Sequence, residues 1–204
     1  RVVHERAFLI GVATLEGALD VDRAGLARAR LADAALTALL PRVMRDFAGR
    51  YGRIAGGSMA VVAMGKLGGR EMMAASDLDL IMLYEHASGA ETAKGGTGRR
   101  LTPPEYFGRL AQQFVTAITV PTGEGKLFDV DMRLRPSGNK GPIAVQLAGF
   151  ARYQAEEAWT WEHMALTRAR PVAGDKAFCD LVEGEVADIL ARPREAKTVF
   201  KDAA

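Results

Sequence analysis

The stretch that decides the fold is Gly65–Glu85, "GKLGGREMMAASDLDLIMLYE". It holds a loop with three glycines and a lysine, a short spacer, and a strand of apolar residues that opens on Asp77 and Asp79. Alternate residues of a strand face the same way. Asp77 and Asp79 therefore share one face, while Leu78 and Leu80 turn into a core. Two carboxylates that close repel each other unless a cation lies between them. A solvated strand end with chance aspartates is the plain alternative, and "SDLDL" alone does not decide between the two.

A second strand is expected over Lys126–Pro136, "KLFDVDMRLRP". If it is regular, Asp129, Asp131, Arg133 and Arg135 lie on one face. A surface ion-pair ladder would explain this but would stabilise little. A third carboxylate beside two arginines fits better where metal ions meet a polyphosphate. Oxygen ligands suit Mg²⁺ or Mn²⁺, and guanidinium groups grip phosphate oxygens in pairs. The loop "GKLGG" could bring backbone N–H groups to a phosphate, or it could be an ordinary tight turn. It is not a Walker A loop, which would require glycine at Ala60 and Ser or Thr at Leu67.

Working outward, apolar residues recur at helical spacing over about 4–19 and again over about 22–47, where Pro41 is expected to kink or restart the helix. "GRIAGG" reads as a loop and "SMAVVAMG" as a short buried strand, with a short helix expected near 69–73. "HASGAETAKGGTGRR" reads as a mobile polar loop. "TPPE" then starts a helix, with Thr102 as N-cap and Glu105 completing a capping box. Phe107, Leu110, Phe114 and Ile118 form its apolar face. Three helical stretches follow from about Leu147, the last beginning near Asp175. The two tryptophans of "EEAWTWEHMALTRAR" read as core or interdomain packing, and His163 as a structural residue or one that supports site residues from behind. Helices, then a few strands, then helices again give an α+β chain with a small mixed sheet.

The chain has 204 residues and a net charge of +2, which argues against a general polyanion binder such as a nucleic-acid protein. Its single cysteine, Cys179, permits no internal disulfide and fits a reducing cytoplasm. No apolar run approaches the roughly 20 residues of a membrane span. The opening "RVVHERAFLIG" lacks an initiator methionine and lies inside a helical pattern, as expected of a piece of a longer protein.

The glycine loop, the Asp-x-Asp heading a strand and the later strand aspartate resemble the polymerase-β-type nucleotidyltransferase superfamily. Lys66 stands where that superfamily carries serine. "MGKLGGREMMAASDLDLIMLY", "DVDMRLRPSGNKGP" and "EEAWTWEHMALTRARPVAGD" narrow the resemblance to the glutamine synthetase adenylyltransferase/adenylyl-removing family. The form of the last motif resembles the C-terminal, adenylylating half. The resemblance implies a helical segment over 1–50, a nucleotidyltransferase core over 51–145 and a helical segment over 146–204 packed on it. It implies transfer of AMP from ATP to a tyrosine hydroxyl of glutamine synthetase, with Asp77, Asp79 and Asp131 as metal ligands and catalytic carboxylates. Gly65, Lys66, Gly68, Gly69, Ser76, Arg133 and Arg135 would face the nucleotide, and Asp131 could accept the tyrosine proton. Family members also respond to a PII signal protein and to glutamine. Residue chemistry alone leaves two alternatives open: the reverse-type phosphorolysis, in which phosphate releases ADP from AMP-tyrosine, and a nucleotide-binding regulatory domain without catalysis.

Overall fold

The computed structural model describes residues 1–193. Helix α1 spans Val2–Leu15 and α2 spans Val21–Tyr51. Asp20 caps α2, its Oδ1 accepting from the Arg23 N–H at 2.7 Å. Ala24, Ala29, Ala32, Leu36, Leu40, Val43 and Phe47 follow at helical spacing and are all buried. The first of these are small, so the backbone of α2 approaches closely: a Cβ on Gly25 would lie 3.3 Å from Glu71 Cα. Pro41 does not restart the helix, which runs unbroken past it. Proline removes one N–H from the ladder, and the buried stripe on both sides of it holds the helix together. Asp20→Ala is expected to lower stability by about 1 kcal/mol, read from the thermal midpoint.

Gly52, at φ +80°, ends α2 and opens the short strand β1 (Gly52–Arg53). β2 (Ser58–Ala63) and β3 (Leu78–Glu85) pair antiparallel from Ser58 opposite Glu85 to Ala63 opposite Leu80. Their near-continuous apolar character has a simple cause. Met59, Val61, Leu80, Met82 and Tyr84 face one core with α2, whereas Ala60, Val62, Ile81 and Leu83 face another with Phe150, Phe178 and Val182. A sheet covered on both faces has no polar side to alternate with.

The helix expected near 69–73 lies earlier, as the single turn α3 (Gly65–Gly68). The polar loop after β3 carries β4 (Lys94–Gly95), which pairs with β1. α4 (Pro103–Thr119) begins as expected, with the Thr102 N–H donating to Glu105 Oε2 at 3.1 Å and the Phe107, Leu110, Phe114 and Ile118 face buried.

The expected strand over 126–136 is a correction. Only β5, Val130–Asp131, is extended, and it lies parallel to β3. Beyond it the chain turns, through Ser137 at φ +60° and a 3₁₀ turn over Gly138–Lys140. It rejoins the same edge of β3 as β6 (Ala144–Gln146). Arg133 and Arg135 therefore leave the strand face on which regular alternation had placed them.

α5 (Leu147–Glu156), α6 (Thr160–Leu166) and α7 (Lys176–Ala191) complete the second layer. Between α6 and α7 lies β7 (Arg170–Gly174), a strand unforeseen in the sequence. It is the sheet edge beside β2, the place where Pro171 is tolerated, and the register slips between Val61 and Val62 opposite it. The sheet order is β5-β3-β2-β7, with β6 also on β3. The tryptophans are not core: Trp159 and Trp161 are 67% and 51% exposed. His163 ties α6 to α5, its Nε2 lying 2.9 Å from the Gln154 carbonyl. No helix among the described residues is long and apolar enough to cross a membrane.

Candidate active site

The end of β2 and the starts of β3 and β5 meet at one end of the sheet. Leaving β2, the Met64 N–H donates to the Asp79 carbonyl at 2.9 Å, pinning the glycine loop to β3. Gly65 follows at φ +50°, and a Cβ there would lie 2.1 Å from Asp79 Oδ2. Only glycine combines that backbone angle with that approach, so the loop begins directly against the Asp79 carboxylate. Gly68 and Gly69 play a different part. Their N–H groups donate to Met64 O at 2.8 Å and Gly65 O at 3.0 Å, inside the α3 turn. Lys66 is exposed, with its Nζ 3.5 Å from Met73 Sδ. Ser76 accepts from the Met73 N–H at 3.0 Å and so closes the turn that leads into β3.

Asp77 lies exposed just before β3, and Asp79 is half-buried within it. In the parallel pairing of β3 with β5, Asp79 stands opposite Asp131. Leu78 N–H to Asp129 O, 2.9 Å, anchors the same junction. Burial pushes the Asp79 carboxyl above its ordinary value, and repulsion from Asp77 and Asp131 adds to this, against smaller opposing effects of Arg133 and Lys66. Asp131 moves the other way. Hydrogen bonding from the Arg133 side chain holds it below the usual carboxylate range despite burial, and the Arg133 amide assists. Arg133 donates from its N–H to Oδ1 at 2.8 Å and from Nε to Oδ2 at 2.6 Å, and its Nη2 also pairs with Oδ2. The Asp131 side chain is 13% exposed and that of Arg133 is 74% exposed. Arg135 is turned away: its Nη1 donates to Met132 O at 2.7 Å and its Nε to Gly141 O at 3.4 Å, tying the turn after β5.

No three His, Cys, Asp or Glu side chains among the described residues form a ready metal cluster, and both Asp131 oxygens are bonded to Arg133. The donor set nonetheless suits a hard cation. Asp79 stands opposite Asp131 in the strand pairing, and burial, with repulsion from Asp77 and Asp131 added, raises its proton affinity. The exposed Arg133 side chain compensates these carboxylates most directly, with smaller effects of Lys66 on Asp79 and of Arg135 on Asp131.

Sequence reasoning missed a set of residues behind the loop. Arg168 pairs with Glu71. Arg170 makes a two-pronged pair with Asp33 of α2 at 3.0 and 3.1 Å. The "RAR" tripeptide was visible, but its partners lie 97 and 137 residues upstream.

Comparison with known proteins gives a consistent result. A bifunctional glutamine synthetase adenylyltransferase/adenylyl-removing enzyme of Mesorhizobium japonicum is 50% identical over 98% of this chain. Proteins of the same name from Xanthobacter autotrophicus and Rhizobium meliloti are 50% and 45% identical over 99% and 98% of it. The chain spans 20% of the length of each of these relatives. The family model for glutamate-ammonia ligase adenylyltransferase matches residues 1–183, so the chain belongs to that family.

Proposed function

We propose that this chain transfers AMP from ATP to a tyrosine hydroxyl of glutamine synthetase and releases pyrophosphate. The observation that carries this is the pairing of Asp79 opposite Asp131, with Asp77 alongside and the glycine loop closing on the Asp79 carboxylate. Asp77, Asp79 and Asp131 would hold Mg²⁺ or Mn²⁺, which supplies charge neutralisation at the triphosphate and the attacking oxygen.

The tyrosine oxygen bonds to the α-phosphorus as the bond to the β-phosphate oxygen breaks. A phenol has a pKa of about 10, so its proton needs an acceptor. Asp131 is a weak one while Arg133 is hydrogen-bonded to it. Release of the exposed Arg133 toward the triphosphate raises the proton affinity of Asp131 and places a cation on developing phosphate charge. Lys66 can add charge there; Arg135 serves by holding the turn that carries Arg133. Gly65 keeps the loop close to Asp79, while Gly68, Gly69 and Ser76 shape the turns on either side.

The test is incubation with unmodified glutamine synthetase, Mg²⁺ and ATP, followed by mass spectrometry of the synthetase. AMP on a tyrosine is the expected result. ADP released from adenylylated synthetase and phosphate, without forward transfer, would instead assign phosphorolysis. Binding of Mg²⁺–ATP with neither reaction would assign a regulatory domain.

A further inference from the structure

Arg170 sits at the first position of β7. Its Nη1 and Nη2 hold Asp33 of α2, Nη2 also donates to the Leu67 carbonyl at 3.1 Å, and Nε lies 3.5 Å from the Gly68 carbonyl. Leu67 and Gly68 are the last residues of α3; the Leu67 carbonyl also accepts from the Arg70 N–H at 3.1 Å, so Arg170 adds a second donor there. One guanidinium therefore ties α2, α3 and β7 together, with the Arg170 and Asp33 side chains only 19% and 23% exposed. The neighbouring backbone adds a second contact: a Cβ on Gly68 would lie 1.9 Å from Arg168 O, so the two chain segments touch. The same short loop that closes on Asp79 at Gly65 is thus gripped at its other end by residues 168–170.

We propose that Arg170, oriented by Asp33, is a positioning residue for the nucleotide. It sets the seat of α3 relative to Asp79, and through it the fit of the triphosphate. This rests on the loop facing ATP, as in the function proposed above. Arginine is required because a planar fork can serve a carboxylate and two carbonyls together, which a single ammonium cannot.

Arg170→Lys, Arg170→Ala and the exchange Asp33→Arg/Arg170→Asp separate positioning from simple stapling. Loss of a supporting partner typically costs about 10–100-fold, so Arg170→Lys is expected to raise the KM for ATP by about tenfold with a smaller fall in kcat. Amide exchange at Gly68, Gly69 and Glu71, whose N–H groups close the α3 turn, is expected to quicken by a similar factor, with β3 unchanged. The exchange variant restores an ion pair between α2 and β7, and with it the thermal midpoint. It leaves KM high, because an aspartate cannot donate to the Leu67 and Gly68 carbonyls. Unchanged amide exchange in Arg170→Lys overturns the brace. Faster exchange with an unchanged KM, or recovery of KM in the exchange variant, overturns its role in positioning. If Arg170→Ala fails to fold, Arg170→Lys decides. A parent protein that neither transfers AMP nor binds Mg²⁺–ATP sinks the nucleotide reading, and with it Arg170 as a nucleotide-positioning residue; the amide exchange then judges the brace alone.

Discussion

Asp79→Asn is expected to lower AMP transfer on the order of 10³-fold, while the metal-free protein melts at or above the temperature of the parent. The activity loss follows from charge. A bound metal supplies several kcal/mol of transition-state stabilisation, and each ~1.36 kcal/mol is a factor of ten. The stability result follows from the site in its cation-free state. Burial and the neighbouring Asp77 and Asp131 raise the Asp79 carboxyl above its ordinary value. The folded state then binds more protons than the unfolded chain between the ordinary value and the raised one. Stability falls as pH rises through that window, and the deficit persists at neutral pH. An asparagine amide carries no charge, so the substitution removes this deficit and flattens that part of the profile. Melting temperature against pH in chelator-treated buffer measures it. Full transfer activity in Asp79→Asn would sink the metal assignment, and a markedly lower melting point would sink the account of carboxylate crowding.

Gly68→Ala is expected to destabilise the fold by about 3 kcal/mol, at the upper end for overpacking, which for a protein of this size is a fall of roughly 6–12 °C in Tm. Gly68 is helical, so its backbone angles present no obstacle. The obstacle is space. The new methyl would lie 1.9 Å from Arg168 O and 2.9 Å from Ala63 O, and neither backbone can yield without moving β2 or the segment before β7. Gly184 in α7 is the control, because a Cβ there meets nothing within 4 Å. Gly184→Ala should raise stability by about 0.5–1 kcal/mol. Calorimetry on the pair distinguishes packing from propensity. Equal midpoints for the two variants would refute the close approach of residues 63, 68 and 168.

Both predictions turn on residues that the sequence made visible to different degrees. Asp79 was legible because a charge at every second position of an apolar strand breaks the pattern of a doubly covered sheet. Asp131 was legible as a third carboxylate, although its strand was overextended. Alternation alone carried the expected strand through Arg133 and Arg135. In the fold, Arg133 turns back onto Asp131 and Arg135 binds Met132 O, and two local hydrogen-bonding arginines outweigh strand continuation. Gly68 was visible as a glycine, but the close packing that requires it was not. In sequence it belonged to a loop that could face phosphate, whereas its packing partner, Arg168, is a hundred residues away in the chain.

The sequence by itself determined the elements whose signals are local: the unbroken apolar runs of β2 and β3, the capped start of α4, the stripes of α2 and α7, and the Asp-x-Asp strand opening. These depend on periodicity and on side chains within a turn of one another. Only the tertiary structure decided the pairing of Asp79 with Asp131, the reach of Arg170 to Asp33 and α3, and the position of β7 at the sheet edge. Those contacts join residues far apart in the chain. Register and sheet order, not local pattern, bring them together.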